Sequence, residues 1–91
     1  MRTTHVIVEG LVQRVCFRDA TRRQAESLHI SGWVRNLPNG SVEVVLCGPP
    51  ENIDKMVCWL RQGPPRARVD NLQITELSDD DHQFSLFEIR F

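Results

Sequence analysis

The chain has 91 residues, of which 41% are hydrophobic and 25% charged, and this composition predicts a single globular domain over residues 1–91. Eleven basic residues stand against twelve acidic ones, which argues against general binding of nucleic acids or anionic membranes because both usually require a basic surplus. No apolar run approaches the ~20 residues of a membrane span, and the beginning of the sequence lacks the pattern of a signal peptide.

The first half of the chain predicts a strand, a helix and a hairpin. Residues 3–8 alternate in the way expected of a strand, and apolar residues recur at helical spacing between positions 17 and 29. The Asn-Gly pair at positions 39–40, between two β-rich runs, is a strong hairpin signal. We therefore expect residues 33–37 and 41–47 to pair as antiparallel strands.

The second half of the chain predicts another helix and two more strands. An apolar stripe within residues 53–60 indicates the helix, and residues 69–77 and 87–91 show strand patterns on either side of a solvated turn at 79–81. The order β-α-β-β-α-β, followed by an extra terminal strand, predicts an α+β ferredoxin-like sandwich. In this fold two helices cover one face of an antiparallel sheet, here with an extra C-terminal strand.

The connection between the first strand and the first helix, GLVQRVCFR at residues 10–18, contains two arginines and no acidic residue. A loop that enters a helix can aim several unpaired N–H groups at one point, where the helix dipole also favours negative charge. Arg18, just inside the helix, adds a planar charged group that matches a phosphoryl group. These features predict an anion site, although an ordinary turn with exposed arginines explains the composition equally well.

Asn36 lies near the end of the first hairpin strand, although asparagine is disfavoured in strands. The turn of the hairpin is already provided by the Asn-Gly pair, so Asn36 has no evident structural task. From the residues alone, Asn36 is either an exposed residue before the turn or a functional amide.

Two separate motifs resemble those of the acylphosphatase family, whose sequences carry a glycine, then V-Q-G-V-x-F-R, a helix, G-W/Y-V/A-x-N and a hairpin with D/N-G. The matching residues are Gly10, Val12, Gln13, Val15, Phe17 and Arg18 in the first motif, Gly32, Trp33, Val34 and Asn36 in the second, and Gly40, Val42 and Glu43 in the hairpin. The resemblance extends over nearly the whole chain, and the ferredoxin-like fold of the family agrees with the predicted order of elements.

The resemblance implies hydrolysis of the carboxyl-phosphate bond of a small-molecule acyl phosphate, without a metal or an organic cofactor. By motif match, Arg18 binds the phosphoryl oxygens and Asn36 orients the attacking water. The cradle around the phosphoryl group is completed by the backbone amides of Gln13, Arg14, Val15, Cys16 and Phe17. Together with the composition, the resemblance favours a monomeric cytoplasmic enzyme that binds neither nucleic acid nor membrane.

Arg14 departs from the family motif, which has a glycine at this position of the loop. If the loop requires a positive φ there, arginine adds strain of about 1–3 kcal/mol. We expect instead an ordinary backbone conformation with the side chain in solvent, where it adds a second positive charge near the phosphate.

Three cysteines, Cys16, Cys47 and Cys58, fit neither a metal motif nor a disulfide framework, and we expect buried or half-buried thiols in a reducing compartment. Cys16 lies between two arginines near a helix N-terminus, an environment that activates thiols. Cysteine-based phosphatases, however, have the spacing C-x5-R, whereas the spacing here is C-x-R. We therefore assign Cys16 no nucleophilic role.

Three other kinds of protein share this order of elements or these motifs. One is a carbamoyl-phosphate-handling domain, like the acylphosphatase-like portion of larger hydrogenase-maturation proteins. Another is an anion-binding module that has lost catalysis, with Arg14 as the cause. The third is an RNA-recognition module, but the strand at residues 41–47 lacks the aromatic residues, and the chain the basic face, of such modules.

Overall fold

The structure, a computed structural model, describes residues 1–77 and 84–91, in which two helices and five strands follow one another in the predicted order. The elements are β1 (Arg2–Leu11), α1 (Phe17–Ser27), β2 (Ser31–Asn36), β3 (Val42–Gly48), α2 (Pro50–Gln62), β4 (Arg68–Leu77) and β5 (Phe87–Arg90). The fold predicted from the alternating and helical patterns is therefore confirmed. The turn predicted at residues 79–81 lies outside the described residues.

The five described strands form one sheet in the order β4-β1-β3-β2-β5. The first four are antiparallel to their neighbours, as the ferredoxin-like pattern predicts, whereas β5 runs parallel to β2 at the edge. Sequence alternation gives no direction for this extra strand, because it marks the two faces of a strand and not its neighbour. The pairing of Arg35 with Arg90 brings the next residue, Phe91, level with Asn36.

Both helices lie on one face of the sheet and bury the apolar stripes visible in the sequence. Their buried residues are Phe17, Thr21, Ala25, Ile53, Met56 and Leu60. These side chains pack against alternate residues of the central strands, namely Val6, Val8, Val34, Val42, Val44 and Leu46. Neither of the two helices is long and apolar enough to cross a membrane.

The three cysteines differ in exposure, and the expectation that all are at least half-buried is wrong for two of them. Cys47 is buried in β3, whereas Cys16 and Cys58 are exposed. Cys58 follows Val57 on α2, where the helical period turns its side chain away from the core. Cys16 belongs to the loop that precedes α1, so no apolar stripe directs it inward.

Candidate active site

Strand β1 ends near a glycine that turns the chain out of the sheet. Gly10 has φ +132°, and a Cβ there would lie 2.2 Å from the carbonyl oxygen of Arg68 on β4. The pairing of β1 with β4 also shifts its register between Glu9 and Gly10. Because only glycine tolerates both the positive φ and the close backbone approach, Gly10 sets the direction in which the loop leaves the sheet. Val12, which is 1% exposed, then anchors the loop in the core.

The loop between β1 and α1 has a backbone of alternating handedness. Arg14 and Cys16 have φ values of +63° and +62°, in the left-handed region, and Val15 between them does not. Such alternation is typical of a nest, a concavity in which successive N–H groups converge on one anion. No acceptor among the described residues binds the amides of residues 13–17, and no side chain caps the start of α1. The loop therefore offers backbone donors that have no partner in this part of the chain.

Arg14 does not have the ordinary backbone conformation expected from the sequence. Its φ of +63° is a conformation that glycine adopts without steric cost, so the expectation is wrong on this point. For a residue with a Cβ, the left-handed conformation costs roughly 1–2 kcal/mol. The nest explains why the loop requires it, because alternating handedness is what makes the amides converge. The side chain is exposed, as expected, and lines the same concavity as Arg18.

Gln13 contributes its side chain to the scaffold of the site. Its Nε2 donates two hydrogen bonds of 2.8 Å, one to the carbonyl of Leu37 and one to the carbonyl of Ser41. Both carbonyls belong to the connection between β2 and β3, directly after Asn36. Gln13 thereby fastens the loop to the strand end that carries Asn36, a contact between two motifs that the sequence alone does not reveal.

Arg18 lies in the first turn of α1, and its guanidinium stacks on the ring of Phe91. The distance from Cζ of Arg18 to the ring centroid is 4.8 Å. No carboxylate of the described residues forms an ion pair with Arg18. Its N–H groups are therefore available to bind an anion.

Asn36, the last residue of β2, has an unsatisfied acceptor. Its Oδ1 is buried and has no hydrogen-bond partner among the described residues. Since buried polar atoms nearly always have a partner, protein or water, this oxygen indicates a place for a water or a ligand. Asn36 follows the buried Val34 by two positions along β2, and side chains two positions apart on a strand point to the same face. Asn36 therefore lies on the helix-covered face of the sheet.

A concavity of about 270 Å³ brings the two sequence motifs together. Its lining residues are Val12, Arg14, Cys16, Phe17, Arg18, Asp19, Asn36, Ile89 and Phe91. Gln13 and Val15, two of the five predicted amide donors, are not among them. The sequence analysis also missed Asp19, Ile89 and Phe91. Alternation along the last strand shows that Ile89 and Phe91 share a face, but only the pairing of β5 with β2 shows which site they reach.

The charged residues of the concavity favour an anion. Among the side chains that line it, Arg14 and Arg18 contribute two positive charges against one carboxylate, that of Asp19. Asp19 lies in the first turn of α1, where a carboxylate suits the helix dipole, and its Oδ1 is 3.7 Å from a guanidinium nitrogen of Arg22. Within residues 1–77 and 84–91, no group of three or more His, Cys, Asp or Glu side chains is arranged to hold a metal ion.

Comparison with known proteins shows the family of this chain. The acylphosphatase family model matches residues 4–89 of the chain. An acylphosphatase of Thiobacillus denitrificans is 46% identical over 90 residues, which is 99% of this chain and 98% of that protein. The crystal structure of acylphosphatase from Bacillus subtilis matches with a TM-score of 0.95 at 31% identity, covering 100% of both chains. An acylphosphatase from Coxiella burnetii matches with a TM-score of 0.92 at 42% identity, covering 98% of this chain and 92% of that one.

Proposed function

Because this chain belongs to the acylphosphatase family and is an acyl phosphate hydrolase, we propose that Arg18, Asn36 and the amides of the β1–α1 loop carry out its reaction. The observation that supports this assignment most directly is that one concavity is lined by both Arg18 and Asn36, whose Oδ1 has no hydrogen-bond partner among the described residues. In the proposed reaction, water attacks phosphorus, the bond from phosphorus to the acyl oxygen breaks, and a carboxylate and inorganic phosphate leave.

Arg18 and the loop amides hold the phosphoryl group in this proposal. The transition state of phosphoryl transfer is loose, so catalysis consists mostly of positioning and of charge stabilisation on the equatorial oxygens. The guanidinium of Arg18 matches those oxygens in shape and charge, and it has no carboxylate partner in the described chain. The amides of residues 13–17 add dipoles that are already oriented by the alternating backbone.

Asn36 orients the attacking water. Its Oδ1 lacks a donor among the described residues, and a water that donates one hydrogen to this oxygen turns its lone pair towards the phosphoryl group. The carboxylate that leaves is the conjugate base of a strong enough acid to depart without a proton. The proton of the attacking water passes to a phosphoryl oxygen of the substrate, so the reaction does not require a protein base.

Asp19 contributes a side-chain carboxylate to the lining of the concavity, but we do not assign it the role of a base. Its negative charge disfavours a phosphate in the concavity, and its position at the start of α1 explains its presence. The variant Asp19→Asn should therefore retain most of the activity, with kcat/KM within about threefold of the parent. A deep loss of kcat in this variant would argue for a general base and against transfer of the proton to the substrate.

We also propose that the enzyme acts without a metal, as a monomer in the cytoplasm, on a small-molecule substrate. Every residue assigned to the site comes from the same chain, so the reaction does not need a second copy. Two arginines supply the positive charge that a metal ion provides in other phosphoryl-transfer enzymes.

The test is hydrolysis of benzoyl phosphate in the presence of EDTA, with Arg23→Ala, an exposed arginine of α1, as the control. Arg18→Ala should lower kcat/KM by about 10²–10³, the range for loss of a preorganised charge-stabilising group. Asn36→Ala should lower kcat by about 10² with little change in KM, because it misplaces the water and not the substrate. An inactive parent that still binds phosphate would indicate a binding module, and a requirement for a divalent metal would contradict the mechanism.

A further inference from the structure

A second groove adjoins the concavity that is lined by Arg18 and Asn36, called here the phosphate concavity, and shares Cys16 with it. It has a volume of about 280 Å³ and is lined by Val15, Cys16, Pro64, Pro65 and Arg66. We propose that this groove, called here the acyl groove, binds the acyl group of the substrate and selects acyl phosphates with an apolar body and an anionic far end. This inference rests on the proposed function, because it assumes that the phosphoryl group lies at Arg18.

The two spaces adjoin at a single residue. Cys16 lines both the phosphate concavity and the acyl groove, and no other residue is shared between them. A substrate whose phosphoryl group lies beside Arg18 can therefore extend past the Cys16 side chain into the groove.

The order of strands places the groove on the side expected for the leaving group. The loop follows β1, which lies between β4 on one side and β3 and β2 on the other. Asn36 ends β2, whereas Pro64, Pro65 and Arg66 precede β4, whose first residue pairs with the end of β1. The water site and the acyl groove therefore flank the loop from opposite sides. In-line displacement at phosphorus requires this arrangement, because the attacking water and the leaving carboxylate must be opposite each other.

The far wall of the groove is held in a fixed turn. The amide of Gly63 donates to the carbonyl of Trp59 at 2.8 Å, and the amide of Ala67 donates to the carbonyl of Pro64 at 2.9 Å. Gly63 also lies against Phe17, since a Cβ there would be 2.8 Å from the aromatic ring. The turn at residues 63–67, called here the proline turn, is thus anchored to Phe17, the residue that starts α1. The groove is therefore formed before a substrate enters it.

The chemistry of the walls defines the class of substrate. Val15, Pro64 and Pro65 present apolar surface, which suits an aromatic or branched acyl body better than an acetyl group. Arg66 is exposed and has no ion-pair partner among the described residues, unlike Arg68, whose Nε is 3.1 Å from the carboxylate of Asp70. A carboxylate at the far end of the acyl group can therefore pair with Arg66.

The experiment compares hydrolysis of acetyl phosphate, benzoyl phosphate and 4-carboxybenzoyl phosphate. Benzoyl phosphate and 4-carboxybenzoyl phosphate form a matched pair, because they differ only in a carboxylate at the far end of the ring. Arg66→Gln should lower the ratio of kcat/KM for 4-carboxybenzoyl phosphate to that for benzoyl phosphate by about threefold, as expected for an exposed ion pair. Arg66→Lys should retain the ratio, and Arg61→Gln, which removes a charge outside the groove, should leave it unchanged.

A second variant tests the apolar wall. Pro65→Ser should lower kcat/KM for benzoyl phosphate roughly twofold to fourfold while leaving acetyl phosphate unchanged, because only the larger acyl group contacts the wall. Pro50→Ser, at an exposed proline of α2, is the control. The acyl groove would be overturned if the parent, Arg66→Gln and Arg61→Gln had the same ratio of kcat/KM for 4-carboxybenzoyl phosphate to that for benzoyl phosphate. It would also be overturned if Pro65→Ser lost kcat/KM equally on acetyl phosphate and benzoyl phosphate. If the parent hydrolyses none of the three substrates, the proposed function fails instead.

Discussion

The guanidinium of Arg18 stacks on the aromatic ring of Phe91, with its Cζ 4.8 Å from the ring centroid. The two residues come from distant parts of the chain and meet because β5 pairs in parallel with β2. A ring in contact with the guanidinium restricts the rotamers of arginine and does not use its N–H groups as hydrogen-bond donors. Phe91 itself is fully exposed, so this contact biases the orientation of Arg18 before an anion arrives but does not fix it.

Phe91→Ala should lower kcat/KM roughly twofold to fivefold, because an exposed cation–π contact contributes about 0.5–1 kcal/mol. Phe91→Tyr retains the ring and serves as the matched control. Steady-state kinetics on benzoyl phosphate measures both. A loss as deep as that of Arg18→Ala would mean that Phe91 itself contacts the substrate, and an unchanged rate would mean that the stack does not orient Arg18.

Gln13→Met should destabilise the protein and slow the reaction at the same time. The substitution retains the shape of the side chain but leaves the carbonyls of Leu37 and Ser41 without their 2.8 Å hydrogen bonds. We expect a loss of about 1–2 kcal/mol in the free energy of unfolding, measured with urea. We also expect kcat to fall more than KM rises, because the strand end that carries Asn36 is no longer fastened to the loop. A variant with reduced stability and unchanged kcat would limit Gln13 to a structural role.

The sequence predicted the elements of this fold because each has a simple period. Helix α2 has its buried residues Ile53, Met56 and Leu60 at helical spacing, and the hairpin of β2 and β3 follows from its Asn-Gly turn. The motifs also indicated Arg18 and Asn36, which the structure brings to one concavity. These features are local or depend on residue types at fixed spacing.

The features that could not be predicted from the sequence depend on contacts between distant residues. The φ of Arg14 is set by the path of the whole loop, and nothing in the identity of arginine indicates a left-handed conformation. The place of Phe91 depends on which strand β5 joins, and the acyl groove requires the proline turn to lie beside the loop. The only sequence signal for Arg14 was the glycine of the family motif at its position.

The stability of the protein should fall as acid protonates Glu43, on the sheet face opposite the helices. Burial raises the pKa of Glu43, but hydrogen bonds from His5 and Arg35 outweigh burial and hold the pKa below its ordinary value of 4.5. Oε2 of Glu43 is 2.8 Å from Nε2 of His5, and Oε1 accepts a hydrogen bond of 2.5 Å from Nε of Arg35. A lowered pKa means that the folded chain binds the proton less readily than the unfolded chain. The stabilisation is therefore present above the ordinary pKa and is lost as the pH falls through the lowered value.

Urea unfolding between pH 7 and pH 3 measures this effect. At pH 7 we expect Glu43→Gln to be less stable than the parent by about 1 kcal/mol, and the difference should disappear at the acidic end. Glu88→Gln, at an exposed position of β5, is the control and should follow the parent throughout. A difference that stays constant with pH would show that the effect comes from packing and not from ionisation.

Cys16→Ala should retain most of the activity, with kcat/KM within about threefold of the parent. The thiol lines the concavity, but the proposed reaction has no covalent intermediate, and alanine has the same cost as cysteine in the left-handed conformation. Cys58→Ala, at the other exposed cysteine, is the matched control. Hydrolysis of benzoyl phosphate by both variants tests the point, and a loss as deep as that of Arg18→Ala would identify Cys16 as a nucleophile.

Arg14→Gly and Arg14→Ala together separate backbone strain from charge. Both variants remove the guanidinium from the concavity, but only glycine relieves the left-handed φ of +63°. Arg14→Gly should raise the free energy of unfolding by roughly 0.5–1 kcal/mol relative to Arg14→Ala, since the relieved strain is partly offset by the larger backbone entropy of glycine.

In kinetics, both variants should change kcat/KM by less than about tenfold, because the amides that form the nest are present in all three proteins. Urea unfolding and hydrolysis of benzoyl phosphate provide the two measurements. An inactive parent restored by Arg14→Gly would show instead that arginine disables the loop, and equal stability of the two variants would show that the conformation at this position carries no strain.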